Sequence, residues 1–294
     1  MPKLFAPLEK YSKVLPNKNK SYQRKMMPTT APQENNTFTG LYTTVTDNIA
    51  TLRLNDPTSR NALSSEMMAG IETALTDLGN QRDVHVVILE ATGPVFSSGH
   101  NLKEMMGDHR KKKMLALFNQ CSGMMQTVVN LPKPVIAKVN GMATAAGCQL
   151  VASCDLAFAS EKSTFATPGV NLGIFCSTPM VALSRNVSPK HAMEMLLGGE
   201  FMDAEHAMRI GLINRAVAEA ELDDVVQEFA ARIASKSPLT VKTGKTAFYQ
   251  QLEMPLAEAY AYTSKVMAEN MQSHDAQEGI SAFLEKRSPN WQGK

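Results

Sequence analysis

This chain is short of the residues that mark a disulfide scaffold, a metal centre or a membrane protein. Its four cysteines, Cys121, Cys148, Cys154 and Cys176, include no Cys-x-x-Cys pair. Three of them lie among apolar or small residues, which reads as reduced, buried thiols in a reducing compartment. The six histidines form no His-x-His or His-x-x-x-His pair, so no metal site is expected. No apolar run approaches the roughly 18–20 residues of a membrane span. A net charge of +2 gives neither nucleic acid nor a membrane a global electrostatic pull.

What the chain has is apolar bulk. Hydrophobic residues make up 44% of 294, ample core for one large domain with an appendage. The 19 methionines mostly sit at helical core spacing, for instance Met193 and Met195 or Met267 and Met271, and read as core filler.

Residues 1–40 stand apart. Through Lys25 they carry six lysines, one arginine and a single acid, Glu9, followed by a Pro/Thr/Gln/Asn-rich stretch to Gly40. Such a segment buries little apolar area and is expected to be a disordered basic extension. Its acid-poor composition fits organelle targeting, whereas its preference for Lys over Arg fits a bacterial leader or a start at Met26 or Met27 as well.

Beyond Gly40 the pattern becomes regular. Leu41–Thr46 and Ile49–Leu54 flank Asp47-Asn48 as a hairpin would. Ser64 is placed to cap a helix with Met67, Met68, Ile71, Leu75 and Leu78 on one face. Val84–Leu89, Pro134–Val139 and Leu156–Ala159 read as strands, the first buried on both faces. Met114, Leu117, Phe118, Cys121, Met125 and Val128 mark a second amphipathic helix. From Pro189 to Lys286 the pattern is mostly helical. Helices alternating with strands imply α/β layering.

The most informative stretch is 136–156, Ile-Ala-Lys-Val-Asn-Gly-Met-Ala-Thr-Ala-Ala-Gly-Cys-Gln-Leu-Val-Ala-Ser-Cys-Asp-Leu. An apolar run enters a turn at Gly141, and the small residues Ala145, Ala146 and Gly147 open a helix. The first N–H groups of a helix are unpaired and carry partial positive charge. Side chains this small let a substrate oxygen approach them, which is how backbone builds an oxyanion hole. Three further segments accompany it: Pro57–Leu63, Phe96–Glu104 (Phe-Ser-Ser-Gly-His-Asn-Leu-Lys-Glu) and Phe165–Cys176 (Phe-Ala-Thr-Pro-Gly-Val-Asn-Leu-Gly-Ile-Phe-Cys).

Together these segments resemble the enoyl-CoA hydratase/isomerase (crotonase) superfamily, over about residues 41 to 291. The resemblance implies an α/β, crotonase-like ββα spiral over 41–230 and a helical C-terminal region over 231–294 used in trimerisation. It implies an acyl-CoA partner, coenzyme A entering as a thioester substrate rather than a resident cofactor, and a homotrimer or dimer of trimers. Nucleic acid, membrane and metal partners are not expected. The implied compartment is the mitochondrial matrix in a eukaryote and the cytoplasm in a bacterium. A Pro-Gly-Val-Asn-x-Gly-x-Phe-Cys-Ser-Thr-Pro pattern and the tail around Gln277–Arg287 are similar to one subgroup tied to fatty-acid metabolism.

Carried over by residue, the resemblance assigns the thioester oxygen to the N–H groups of His100 and Ala146. Ser98, His100, Asn101 and Leu102 would line the coenzyme, with Asn101 in place of the usual Asp. Arg60 would meet a phosphate, or remain a solvated loop arginine. Phe283 and Lys286 on the last helix would reach the coenzyme of a neighbouring subunit, with Glu278 on the same helix. The basic run Arg110–Lys113 would steer a polyanion or simply open a helix. Asp155 reads as a structural hydrogen-bonding residue. The imidazole of His100 could enter acid–base work, and Cys176 could line the pocket or attack a thioester.

The departure from the family pattern concerns the acids. Family hydratases carry glutamates where this chain has Gln149 and Gly169. A carboxamide takes no proton and glycine has no side chain, and each proton transfer by a placed group is worth ~10²–10⁴-fold. Standard hydratase activity should therefore be weak or altered. On the sequence alone, a Gln149→Glu, Gly169→Glu pair would supply both acids.

Overall fold

A computed structural model describes residues 35–294; the basic segment before Asn35 lies outside the described residues. Asn35–Phe38 form β1, so the expected unstructured extension ends before Gly40. β1 pairs antiparallel with β2 (Leu41–Thr46), which turns into β3 (Ile49–Leu54). The turn residues Asp47 and Asn48 have φ of 50° and 64°, the left-handed pair that a two-residue hairpin needs.

From β3 the chain alternates between two sheets. β4 (Val86–Ala91), β6 (Val135–Val139), β8 (Leu156–Ser160) and β11 (Arg215–Val217) continue parallel from β3, in a seven-stranded sheet ordered β1-β2-β3-β4-β6-β8-β11. The intervening strands β5 (Val95–Ser97), β7 (Met142–Thr144), β9 (Thr164–Ala166) and β10 (Met202–Asp203) form a four-stranded sheet ordered β10-β9-β7-β5. In it β5, β7 and β9 run parallel and β10 antiparallel. Each turn of the spiral thus gives a strand to each sheet and then a helix: α2 (Leu102–Gly107) and α3 (Lys111–Asn130) after β5, α4 (Ala146–Ser153) after β7, α5 (Pro179–Asn186) and α6 (Pro189–Gly198) after β9. The expected ββα spiral is present. A strand, β7, intervenes where the sequence suggested only a turn between Gly141 and the helix.

Packing follows the two-residue strand period. On β4, Val87 and Leu89 join the main core, whereas Val86 and Ile88 face a second cluster with Ile49, Ile136 and Phe158. That second face is covered by Leu222, Val226 and Ala230 of α8 (Leu222–Ala234), so the strand is buried on both sides as its β-branched run implied. α1 (Ser65–Asn80) is capped by Ser64, whose oxygen accepts from the Met67 N–H, and buries Met67, Met68, Ile71, Leu75 and Leu78. The remaining helices are α7 (Ala204–Arg209), α9 (Pro238–Gln251), α10 (Leu256–Asn270) and α11 (His274–Glu285). Of the methionines expected to fill core, Met195 is buried, whereas Met193, Met267 and Met271 are exposed, because helical spacing alone does not show which face meets the core. None of the helices described is long and apolar enough to cross a membrane.

Asp155 binds the C-terminal helix α9 (Pro238–Gln251) to the spiral. Its carboxylate accepts from the Val135 N–H at 2.7 Å, from Lys245 Nζ at 2.8 Å and from the Tyr249 hydroxyl at 3.0 Å. The side chains of Lys245 and Asp155 are only 6% and 15% exposed. Breaking a buried pair by removing one partner leaves an uncompensated charge, at a cost of about 3–5 kcal/mol. Asp155→Ala should lose about that much in urea unfolding. A loss below about 1 kcal/mol, the size of an exposed pair, would contradict this role.

Candidate active site

In parallel sheets, ligands bind beyond the carboxyl ends of the strands. Beyond β5 come Ser98, Gly99 and His100; beyond β7 come Ala145, Ala146 and Gln149; beyond β9 come Thr167, Pro168 and Gly169. The three strand ends therefore gather three of the four motif segments at one edge. The fourth is zipped to the first by backbone, with Ser98 N–H to Arg60 O at 3.1 Å and Leu63 N–H to Gly99 O at 2.8 Å. The buried side chain of Asn61 supports this loop from below, donating to the carbonyls of Thr92 at 2.9 Å and Val95 at 2.7 Å.

The backbone between the first two loops is unusually close. A Cβ on Gly147 would lie 2.3 Å from Ser97 O, and one on Gly99 would lie 2.9 Å from Thr144 O and 3.0 Å from the Ala146 nitrogen. No side chain fits either gap. This approach sets the start of α4 against the loop carrying His100. Ala145 enters the helix at φ 50° and ψ −118°, a strained conformation for alanine, and offers no side-chain cap. The Ala146 N–H is thus the first of a helix whose eight residues are all buried. His100 pairs with Leu63 as a parallel bridge, in which Leu63 bonds Gly99 O and the Asn101 N–H and leaves His100's own N–H facing the other way.

The side chains mark the same place. Among the described residues, the buried side-chain nitrogens and oxygens without a partner are Nδ1 and Nε2 of His100, Oε1 of Gln149 and Oγ1 of Thr167. Buried polar atoms are nearly always hydrogen-bonded, so an unpaired set on three adjoining loops is what a ligand site looks like. Burial holds the His100 imidazole below its ordinary range, opposed first by the Leu63 backbone and then by the Glu104 carboxylate, and so favours the neutral ring. Its ring packs edge-on to Phe118 at 5.4 Å. Glu104 itself bonds the hydroxyl and the N–H of Ser65 at the start of α1.

Position 169 is closed. A Cβ there would lie 2.4 Å from Ile174 O and 2.8 Å from Cys176 Sγ. The expectation that Gly169→Glu would simply add an acid is corrected accordingly: the 169–176 loop has folded into the space such a side chain would leave through. Cys176 is 7% exposed, and burial pushes its thiol up, which disfavours the thiolate needed for attack.

Other expected site residues lie at the margin. Arg60 is exposed, in a left-handed conformation with φ 61°. Ser98 is half-buried, and Leu102 is 52% exposed. Asn101 caps α2, its side chain accepting from the Lys103 and Glu104 N–H groups at 3.0 and 3.3 Å. That capping task needs no charge. Phe283 is 79% exposed, and Lys286 ends α11, a helix that packs chiefly against α9. Glu278 is taken by Arg287, at 2.6 and 2.9 Å. Arg110 forms a fork with Asp108, at 2.8 and 2.6 Å, beside the start of α3. Thr167 and Phe118 were not singled out as site residues by sequence. Thr167 directly precedes the Pro-Gly of its motif, and Phe118 could be read only as a core position.

Two outcomes test this geometry. Gly169→Ala should destabilise the chain by about 1–3 kcal/mol in urea, the usual cost of overpacking; unchanged stability would mean that the loop yields freely. For His100, the unfolded imidazole titrates near 6.5 while the folded one resists protonation. The unfolded state therefore binds more protons below about pH 6.5, and stability is lost as pH falls through that range. His100→Gln should flatten this part of the pH–stability curve. An identical curve for the variant would show that the ring is not held neutral.

The enoyl-CoA hydratase/isomerase family model matches residues 44–294. Human mitochondrial enoyl-CoA hydratase domain-containing protein 3 is 49% identical over 245 residues, covering 83% of this chain and 81% of the human protein. A probable mitochondrial enoyl-CoA hydratase of Dictyostelium discoideum is 33% identical over 252 residues, covering 84% and 88%. The crystal structure of the human protein superposes with a TM-score of 0.84 at 48% identity, covering 86% of this chain and all of that one. An enoyl-CoA hydratase structure from Mycobacterium smegmatis gives a TM-score of 0.84 at 46% identity, covering 86% and 98%. With its motifs at the ends of three parallel strands and this likeness running nearly its whole length, the chain belongs to the enoyl-CoA hydratase/isomerase family.

Proposed function

We propose that this chain binds an acyl-CoA thioester at the edge formed by β5, β7 and β9, and acts on it as a weak or altered hydratase/isomerase-type enzyme of fatty-acid metabolism. The observation that carries this reading is the group of unpaired buried polar atoms on His100, Gln149 and Thr167 beside the first N–H of α4. The thioester oxygen would sit between the N–H groups of His100 and Ala146. Donors aimed at that oxygen stabilise the negative charge that an enolate develops. They also draw electrons from the conjugated double bond, making its far carbon electrophilic and the α-proton acidic.

The proton chemistry differs from that of a two-carboxylate site. Gln149 can hold a water or an acyl oxygen by hydrogen bonds but takes no proton. Gly169 supplies nothing, burial disfavours the Cys176 thiolate, and the His100 ring is the better placed proton carrier of the two. Arg60, Ser98 and the backbone around Leu102 would contact the coenzyme's nucleotide end. Phe283 and Lys286, exposed on α11, would serve the site of a neighbouring copy. Apolar residues exposed along α9 and α10, among them Phe248, Leu256, Tyr260 and Met267, support a homo-oligomer. The mitochondrial names of the vertebrate relatives and the basic, acid-poor residues before Met26 support a mitochondrial location.

A second reading, an acyl-CoA-binding protein without catalysis, is favoured by the closed backbone at Gly169. Calorimetric titration with crotonyl-CoA and longer acyl-CoAs, with the enoyl absorbance followed in the same samples, separates the two. The first reading expects saturable binding with slow loss of absorbance. Binding without any loss favours the second, and no binding at any chain length overturns both. Ala146→Pro removes one N–H donor and should lower turnover by ~10²–10³-fold. Undiminished turnover in a folded variant would rule out the proposed hole.

A further inference from the structure

Linear spacing hid one group of ligating side chains that the fold assembles. His191 and Glu194 lie one turn apart on α6, and His206 lies on α7. Each offers one ligand atom, and the three atoms all lie within 4.8 Å of one another. The His191 Nδ1 to Glu194 Oε2 distance is 3.3 Å. The edge of a tetrahedron with metal–ligand bonds of about 2.0–2.1 Å is about 3.3 Å, so this pair already has the separation that a bound ion requires. The two imidazoles stand edge to face, 6.1 Å between centroids at 85°.

The supports are fixed from both sides. Ala192, Met195 and Leu196 bury the inner face of α6, which leaves His191 and Glu194 toward its edge with side chains 43% and 64% exposed. Asp203 caps α7 by accepting from the His206 N–H at 2.7 Å, which fixes the backbone that carries the third ligand.

We propose that His191, Glu194 and His206 form a binding site for a divalent ion of the zinc class. Two imidazoles and one carboxylate suit a borderline ion such as Zn²⁺, whereas Mg²⁺ and Ca²⁺ prefer oxygen alone. Three protein ligands leave a fourth position to water. The site lies outside the acyl-CoA edge and uses none of its residues, so it stands whether or not that reading survives.

Its position gives it a structural consequence. α6 packs on the turn Pro168–Leu172, where Asn171 Nδ2 donates to Gly199 O at 3.1 Å. α7 follows β10, which pairs with β9, the strand leading to Thr167. An ion joining α6 to α7 would brace both elements that support the Gly169 loop.

The test uses the full chain, free of any histidine tag and treated with chelator, titrated with Zn²⁺ by calorimetry and in parallel with Mg²⁺. One Zn²⁺ per chain, no Mg²⁺ binding, and a Zn²⁺-dependent rise in Tm are expected. His191→Ala, His206→Ala and Glu194→Gln should each weaken Zn²⁺ by at least about tenfold, the loss that follows even from removing a ligand's outer partner. Their far-ultraviolet spectra and metal-free Tm should match the parent, since Glu194 is exposed and the two histidines are only half-buried. Absence of saturable binding, equal binding of Mg²⁺, or Zn²⁺ binding that survives all three substitutions would overturn the proposal.

Discussion

The close approach of two backbone segments, 96–99 and 144–147, is the constraint on which the rest of this molecule turns. Gly147 and Gly99 have no room for a Cβ because each faces the other segment's backbone. That contact brings the end of β5 to the start of α4. It places a helix N-terminus and a loop N–H on one edge, and it leaves Ala145 in a strained conformation. Strain of this kind persists only where the surroundings over-determine it. Here they do: α4 is buried along its whole length, and the Ala145 N–H is tied to Ala166 O at 2.9 Å.

Around that contact the structure divides its work. The seven-stranded sheet and its two apolar faces supply stability, and Asp155 fastens α9 to them. The small sheet adds Phe96, Ala143 and Phe165 to the main core and lines up three loop starts. Polar groups follow the same division. Asp155 is fully used, whereas His100, Gln149 and Thr167 keep buried atoms unpaired. A protein tolerates such unpaired atoms where something else is to meet them.

Much of this was legible in the sequence, for physical reasons. The hairpin at Asp47-Asn48, the cap at Ser64 and the doubly buried β4 each leave a periodic or capping signal long enough to read. The strands β5, β7 and β9 leave none, because three residues are too few to display alternation. Their loops were found instead by motif, which is why His100, Ala146 and Gln149 emerged while the strands that carry them did not. Thr167 was missed because a threonine before Pro-Gly looks like turn chemistry, and its lack of a partner exists only in three dimensions. His191, Glu194 and His206 escaped for a related reason: helix packing, not spacing along the chain, brings them together.

The closed space at Gly169 also bears on how this position can vary. A glycine beside open space accepts a side chain by one substitution. Here the Ile174 carbonyl and the Cys176 thiol occupy that space. Placing a carboxylate at 169 requires the 169–176 loop to shift in concert, because the substitution alone meets a clash. The loop works as a lock: sequence change is accommodated far more easily around this position than at it.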